Sequence, residues 1–410
     1  MKKENNFTNL KEKNCVFFST VYPYETTLKN ELPFMSQVFN TVFYLPSSVL
    51  PSNIELPENV SFSPIIADSF NSWKKFKFIL WFKAFKIFLT SALMRGNLKP
   101  YFKHLKQYFS ISLRNVYWAE ELKLFISKNN LEDAIYYDYW FENTTLALAI
   151  LKKEGLIKNL VTRSHGFDLY NERWLIGKVP YREYKIKYID KVFTVAKHGQ
   201  IYFKEQVDNN YHSKILLNYL GINNFNIKPN RLQKTDEILL VSASNTRDFK
   251  RVHLIPELLS CFTRKIRWVH FGDGPMDKVL KINSQKVSSN ITIEIKGKKS
   301  NVEVLDFLQS QPVNFFISLS TSEGLPISMM ESISYGIPIF ACNVCGIPDL
   351  INPETGFLFE VNDSIKKIQE KLIIALDKNY DSKIINKYAV EKFDCFKNYI
   401  YFYSEINDMS

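Results

Sequence analysis

The chain has 410 residues, enough for two domains with separate cores, and its 46% hydrophobic and 23% charged content is that of a globular protein, which excludes a disordered or fibrous chain. A formal net charge of +11 favours anionic partners: phosphate-bearing substrates, anionic lipid or nucleic acid. No zinc-finger, basic-zipper or RNA-recognition signature is present, so nucleic acid drops out, and five scattered cysteines, an odd number, speak against a disulfide framework.

Along the chain, short apolar runs alternate with longer helical patterns, the rhythm of βα units and parallel sheets. The N-terminus, Met1-Lys-Lys-Glu-Asn-Asn-Phe-Thr8, lacks the apolar region of a signal peptide, and no run of about 18 apolar residues predicts a membrane span. A cytoplasmic protein is expected. The first half offers strands at 16–19, 41–45, 134–137, 159–162, 191–195 and 214–217. The loop after the first of these begins Tyr22-Pro-Tyr-Glu25 and lacks G-x-G-x-x-G, which argues against a dehydrogenase.

Residues 73–109 stand apart. Trp73-Lys-Lys-Phe-Lys-Phe-Ile-Leu-Trp-Phe-Lys-Ala-Phe-Lys-Ile-Phe-Leu89 mixes large aromatics with lysines and contains no acid. One reading is a basic amphipathic helix lying on an anionic membrane surface. The other is a core-facing helix whose lysines snorkel outward.

Val161-Thr-Arg-Ser-His-Gly-Phe-Asp-Leu169 is a strand end opening into a loop, where α/β proteins place ligands. Asp168 there is either a helix cap or a hydroxyl ligand. The polar segment 221–236, with Pro229 and no helical period, predicts the hinge between domains. The second half offers strands at 237–242, 267–271, 291–296, 314–319, 337–341 and 356–359. Leu239-Leu-Val-Ser-Ala-Ser-Asn-Thr-Arg-Asp-Phe-Lys-Arg-Val252 runs from a strand into a basic loop. In Trp268-Val-His-Phe-Gly-Asp-Gly-Pro-Met276, Gly272 and Gly274 suit a backbone that passes close to a ligand, and His270 reads as a core histidine. Cys342-Asn-Val-Cys345 has no second pair to complete a zinc site.

The densest signal is Ser322-Glu-Gly-Leu-Pro-Ile-Ser-Met-Met-Glu-Ser-Ile-Ser-Tyr-Gly-Ile-Pro338. A strand enters it, Pro326 suits a first helical position, and Gly336 suits the helix stop. Glu323 then lies in the loop at the strand's carboxyl end, and Glu331 lies in the helix. Free N–H groups near Leu325 and Ser328 would point at an anion. Two carboxylates that accept hydroxyl hydrogen bonds beside such a helix start suit a nucleotide-sugar.

This segment resembles the Glu-x7-Glu signature of retaining GT-B glycosyltransferases, the glycosyltransferase family 4 or glycosyl transferases group 1. The likeness continues through Cys345-Gly-Ile-Pro-Asp349 and Glu354-Thr-Gly-Phe-Leu358. It implies an α/β protein of GT-B fold: two Rossmann-like doubly wound domains facing a cleft, with a C-terminal helix crossing back to the N-domain. The expected boundaries are 1–225 for the acceptor-binding domain, 236–388 for the donor-binding domain, and 389–410 for the returning helix.

The resemblance also implies roles. His165 and Glu323 would be catalytic. Lys250, Arg251, Gly324, Leu325, Pro326, Glu331, Gly272 and Gly274 would bind the donor. Glu331 would take the ribose hydroxyls and Glu323 a sugar hydroxyl, while Lys250, the second cation (Arg251 or Arg247) and the backbone at Gly324, Leu325 and Pro326 would take the diphosphate. Relatives often carry Arg where this chain has Asn245, and Ser where it has Ala196. No metal or cofactor is implied, because the Asp-x-Asp element of the other glycosyltransferase fold is missing. The implied donor is a UDP- or GDP-linked sugar. The implied acceptor is a glycan, lipid-linked in many relatives, made for a bacterial capsule, lipopolysaccharide or exopolysaccharide at the inner face of the membrane. A GT-B nucleotide-sugar epimerase, or a silent homologue partnering another transferase, are the alternatives.

Overall fold

A computed structural model describes residues 7–19, 26–48, 55–65, 78–94, 99–223 and 236–409. The loop residues Tyr22 to Glu25, the start of the basic aromatic stretch at 73–77, and residues 224–235 of the expected hinge lie outside them. The chain divides into two compact units, one of residues 1–218 with 397–410, the other of residues 219–396. The expected returning segment is therefore shared. The helix Ser382–Phe393 belongs to the second unit, and the helix Cys395–Asn407 passes into the first from residue 397.

The first unit is built on seven parallel strands: β1 Cys15–Ser19, β2 Val42–Pro46, β3 Val60–Phe62, β4 Ile135–Asp138, β5 Asn159–Ser164, β6 Lys191–Thr194 and β7 Ile215–Leu217. Their order is β3-β2-β1-β4-β5-β6-β7. The order reverses between β1 and β4, so the chain winds outward both ways and leaves a crevice at the carboxyl ends of those strands. Helices cover both faces of such a sheet, which is why β1 and β4 are buried at every position. The short edge strand β3 was not predicted: Val60 is buried, but Ser61 and Phe62 are exposed, so no run of apolar residues marks it.

The C-terminal helix closes this unit with Tyr399, Phe402, Tyr403 and Ile406, all buried. Arg163 lies beneath it. Its guanidinium sits 4.1 Å over the Phe402 ring, Nε donates to Tyr137 Oη at 2.6 Å, Nη1 to Asn218 Oδ1 at 2.8 Å, and Nη2 to Glu31 Oε1 at 3.1 Å. A fully buried guanidinium is tolerable only when paired in this way. Arg163 is thus a pillar under the loop that follows β5.

The second unit holds six parallel strands: β8 Glu237–Ala243, β9 Lys265–Phe271, β10 Ile291–Ile295, β11 Phe315–Ser318, β12 Ile339–Cys342 and β13 Gly356–Phe359. Their order is β10-β9-β8-β11-β12-β13, and the reversal falls between β8 and β11. Leu240, Trp268, Ile317 and Phe340 anchor its core. His270 is wholly buried there, with Nδ1 2.8 Å from Ser242 Oγ, and burial pushes its imidazole down to about 4. It is a core histidine of β9. The helix Ile327–Ser334 starts one residue later than expected, so Pro326 is its cap rather than its first residue. Gly336 ends it at φ +75°, and a Cβ there would lie 2.4 Å from the Ser382 carbonyl oxygen.

Among the described residues, no helix is long and apolar enough to cross a membrane.

Candidate functional site

In the second unit, the loops leaving β8 and β11 meet at the switch in strand order. Thr321 N–H donates to Phe249 O at 2.9 Å, and Ser328 Oγ donates to Ala243 O at 3.2 Å. Between the two loops lies a small cavity lined by Ser244, Lys250, Ser318, Glu323, Pro326 and Ser328 among others. Lys250 ends the short turn Asp248–Lys250, and its Nζ reaches Glu323 Oε1 at 2.5 Å. Seventy-three residues separate the two in sequence, and both side chains are mostly buried, 16% and 11% exposed. An ammonium and a carboxylate so close neutralise one another while leaving donor and acceptor capacity for a ligand with phosphate and hydroxyl groups.

Glu323 leads into the helix Ile327–Ser334. Among the described residues, the backbone N–H groups of Gly324, Leu325, Ile327 and Ser328 reach no protein acceptor. Together with the positive end of the helix dipole they form an anion-accepting edge beside Lys250.

Glu331 lies one turn into that helix, 5% exposed, and accepts from Asn301 Nδ2 at 2.8 Å. Burial pushes its carboxyl up to about 7, a rise that the Asn301 hydrogen bond partly offsets. A carboxylate held in such dry surroundings gains when polar hydrogens arrive, as from a diol. Asn301 was not anticipated. It opens the helix Asn301–Ser310 directly after Ser300, whose side chain and Glu303 form a capping box. That Ser-x-x-Glu signal was legible in the sequence and would have placed Asn301 at a helix start.

The remaining positions frame the site. Arg251 is left-handed at φ 50°, and its Nε donates to Leu319 O at 2.6 Å while Nη2 reaches Cys342 Sγ at 3.7 Å. It ties the β8 loop to the end of β11. Arg247 and Asn245 are exposed. Gly272, at φ +137°, donates its N–H to Gly297 O at 2.8 Å, and a Cβ on it would stand 1.8 Å from Ser244 O. Only glycine lets the β8 and β9 exits come so close. Gly274 N–H donates to Asp277 Oδ1 at 3.0 Å, an atom that also accepts from Thr246 Oγ1. Gly272 and Gly274 therefore brace the wall that carries Ser244.

In the first unit, His165 follows β5 at the carboxyl edge of the sheet. Its ring packs 4.7 Å from Tyr139 and 4.2 Å from Trp140, centroid to centroid. Both ring nitrogens are buried and lack a hydrogen-bond partner among the described residues, as does the Trp140 indole nitrogen. Buried polar atoms left unpaired are costly, and they mark places that a ligand or water completes. Asp168 lies 3.7 Å from His165 Nδ1 and holds the loop itself. Its carboxylate accepts from the backbone N–H groups of His165 at 2.7 Å, Gly166 at 3.0 Å and Phe141 at 2.8 Å. No helix begins at Asp168, and its acceptor bonds go to loop N–H groups, so it braces the loop rather than capping a helix. Tyr139 and Trp140 were missed by sequence reasoning, although their position just past β4 was a signal.

Residues 223–392 match the family model "Glycosyl transferases group 1". An uncharacterized glycosyltransferase of Methanocaldococcus jannaschii is 27% identical over 277 residues, 66% of this chain and 72% of that protein. An Escherichia coli UDP-Gal:alpha-D-GlcNAc-diphosphoundecaprenol alpha-1,3-galactosyltransferase is 28% identical over 133 residues, 30% of this chain and 34% of that protein. The solved apo form of the lipopolysaccharide outer core galactosyltransferase WaaB superposes with a TM-score of 0.66 at 15% identity, covering 95% of this chain and 99% of that one. This chain thus carries a glycosyl transferases group 1 domain, and its two parallel-sheet units have the GT-B fold.

Proposed function

We propose that this protein is a retaining glycosyltransferase that moves a sugar from a nucleotide-sugar to a glycan acceptor, lipid-linked, in the synthesis of a bacterial surface polysaccharide. The observation that carries the proposal is the convergence of Lys250, Glu323 and the N–H groups of Gly324, Leu325, Ile327 and Ser328, unpartnered among the described residues, at the β8–β11 switch, with Glu331 eight residues after Glu323 in a dry pocket. The Escherichia coli relative named above, which uses a UDP-sugar and a diphosphoundecaprenol acceptor, supports the donor and acceptor classes. Transfer would then take place at the inner face of the plasma membrane.

In this reading, Glu331 accepts from the ribose hydroxyls and Glu323 from a hydroxyl of the transferred sugar. Lys250 turns from Glu323 toward the diphosphate and stabilises the negative charge that grows on it as the glycosidic bond breaks. The N–H groups of Gly324 and Leu325 and the remaining guanidinium N–H groups of Arg251 share that charge. Pro326 sets the helix start, and Gly272 and Gly274 hold the wall. His165 donates or accepts one hydrogen bond at the sugar or acceptor through its unpartnered imidazole. Retention follows from front-face attack on an oxocarbenium-like ion pair, with the leaving phosphate taking the acceptor proton. The charge stabilisation comes from Lys250 and backbone dipoles, so transfer is proposed to need no metal ion, and activity in the presence of a chelator would support that.

The test is the melting temperature of the purified chain against UDP, GDP, CMP and ADP and their sugars. A nucleotide at 100 times its Kd stabilises by ~2.7 kcal/mol. A shift with one base, lost in Glu331→Ala, is expected. No shift with any nucleotide would refute the donor site and leave a silent partner protein. A sugar nucleotide converted without acceptor would replace transfer by epimerisation.

A further inference from the structure

The basic aromatic stretch left two readings open, membrane surface or core, and the helix Phe78–Met94 has one face buried on the core and exposed apolar residues opposite it. Leu80, Ala84, Ile87, Phe88 and Ser91 are buried and seat the helix on the first unit. Phe78, Phe82, Phe85, Leu89 and Leu93 recur at steps of three and four, which places them in one line on the other side. Their exposures are 76%, 63%, 49%, 37% and 67%. Trp81 flanks the line at 48% exposed, with its ring 5.2 Å from Phe109. Scattered exposed apolar residues are ordinary, but a five-membered aromatic and aliphatic ridge is not.

Its electrostatic setting identifies the occupant. Residues 69–119 contain ten Lys and Arg and no Asp or Glu, so this one segment holds most of the chain's excess of +11. Lys86, Lys103 and Lys106 are exposed. Lys153 and Lys187, exposed on neighbouring helices, extend the basic ground. The Lys153 ammonium is held below its ordinary value, first by burial and then by Lys86 and Lys187. Two acids beside it already have partners, Glu120 with Lys83 at 2.6 Å and Glu154 with Lys123 at 2.5 Å. Interfaces with other proteins exclude Lys from their centres, whereas an aromatic ridge bordered by lysines suits the boundary between headgroups and acyl chains.

We propose that this ridge docks the first unit on an anionic lipid surface, with Phe78, Phe82, Phe85, Leu89 and Leu93 entering the acyl boundary and Lys86, Lys103 and Lys106 meeting the headgroup phosphates. Docking does not depend on transfer chemistry, and a nucleotide melting shift reads the donor site separately.

Flotation of the full chain with phosphatidylcholine vesicles, with and without phosphatidylglycerol, tests it. Binding is expected with phosphatidylglycerol, weakened by salt. The triple change Phe82→Ser, Phe85→Ser and Leu89→Ser should lower the bound-to-free ratio at least roughly tenfold, with an unchanged circular dichroism spectrum because all three side chains are exposed. Brominated acyl chains should quench Trp emission, and Trp81→Phe should remove part of that quenching. The proposal is overturned if the chain does not float with phosphatidylglycerol, or if the triple-serine chain floats equally. It is also overturned if the ridge instead drives dimerisation that the triple change abolishes.

Discussion

Glu331 is the residue whose replacement separates folding from function most cleanly. Burial lifts its carboxyl from 4.5 to about 7. Below pH 4.5 the folded and unfolded chains both hold the proton, and burial carries no ionic cost. Between 4.5 and about 7 only the folded chain keeps it, so stability falls as pH rises through this window, and above 7 the loss is complete. A rise from 4.5 to about 7 corresponds to about 3 kcal/mol. Glu331→Gln preserves shape and the acceptor for Asn301 and carries no charge. It should therefore stabilise the unit of residues 219–396 by about 3 kcal/mol at pH 8 and very little at pH 4. For a unit of that size the gain is a melting shift of roughly 6–12 °C, measurable by calorimetry at the two pH values. The same variant should bind nucleotide less well, because a neutral amide is a weaker acceptor for ribose hydroxyls. A Glu331→Gln protein no more stable than the parent at pH 8 would refute the reasoning, since the carboxylate would then not be strained by burial.

Lys250→Met should lower turnover by roughly 10²–10³-fold through loss of one charge-stabilising donor; a turnover within about tenfold of the parent in a steady-state assay would remove Lys250 from the site. Asp168→Ala strands the three backbone N–H groups it braces and should destabilise the first unit by about 3 kcal/mol, seen by denaturant unfolding. Gly272→Ala places a Cβ against Ser244 O at a strained φ and should cost about 2 kcal/mol or more, with nucleotide affinity falling alongside as the β8 and β9 exits move apart.

Twelve of the described strands were legible as short apolar runs, and central ones such as β1, β4 and β12 need nothing else because they are buried at every position, whereas β3, the exception, exposes two of its three residues. Glu323, Pro326 and Gly336 were readable because strand exit, helix cap and helix stop are local matters, each decided within a few residues by backbone sterics. The two-sided helix Phe78–Met94 defeated periodicity for an equally local reason: with one apolar face on the core and another on the surface, no polar face was left to mark the period.

Other properties depend on residues far apart in sequence. Lys250 meets Glu323 only because β8 and β11 lie side by side. Glu331 acquires its raised proton affinity only once the chain dries its surroundings and brings in Asn301 from thirty residues away. Arg163, in the motif beside His165, became a buried pillar because Glu31, Tyr137, Asn218 and Phe402 converge on it from four other elements. Sequence alone determined which residues sit at strand ends and helix starts, since those positions follow from short-range sterics and patterning. Tertiary structure decided which of them are charged, paired or left waiting for a ligand, since desolvation and charge pairing depend on neighbours the chain supplies only by folding.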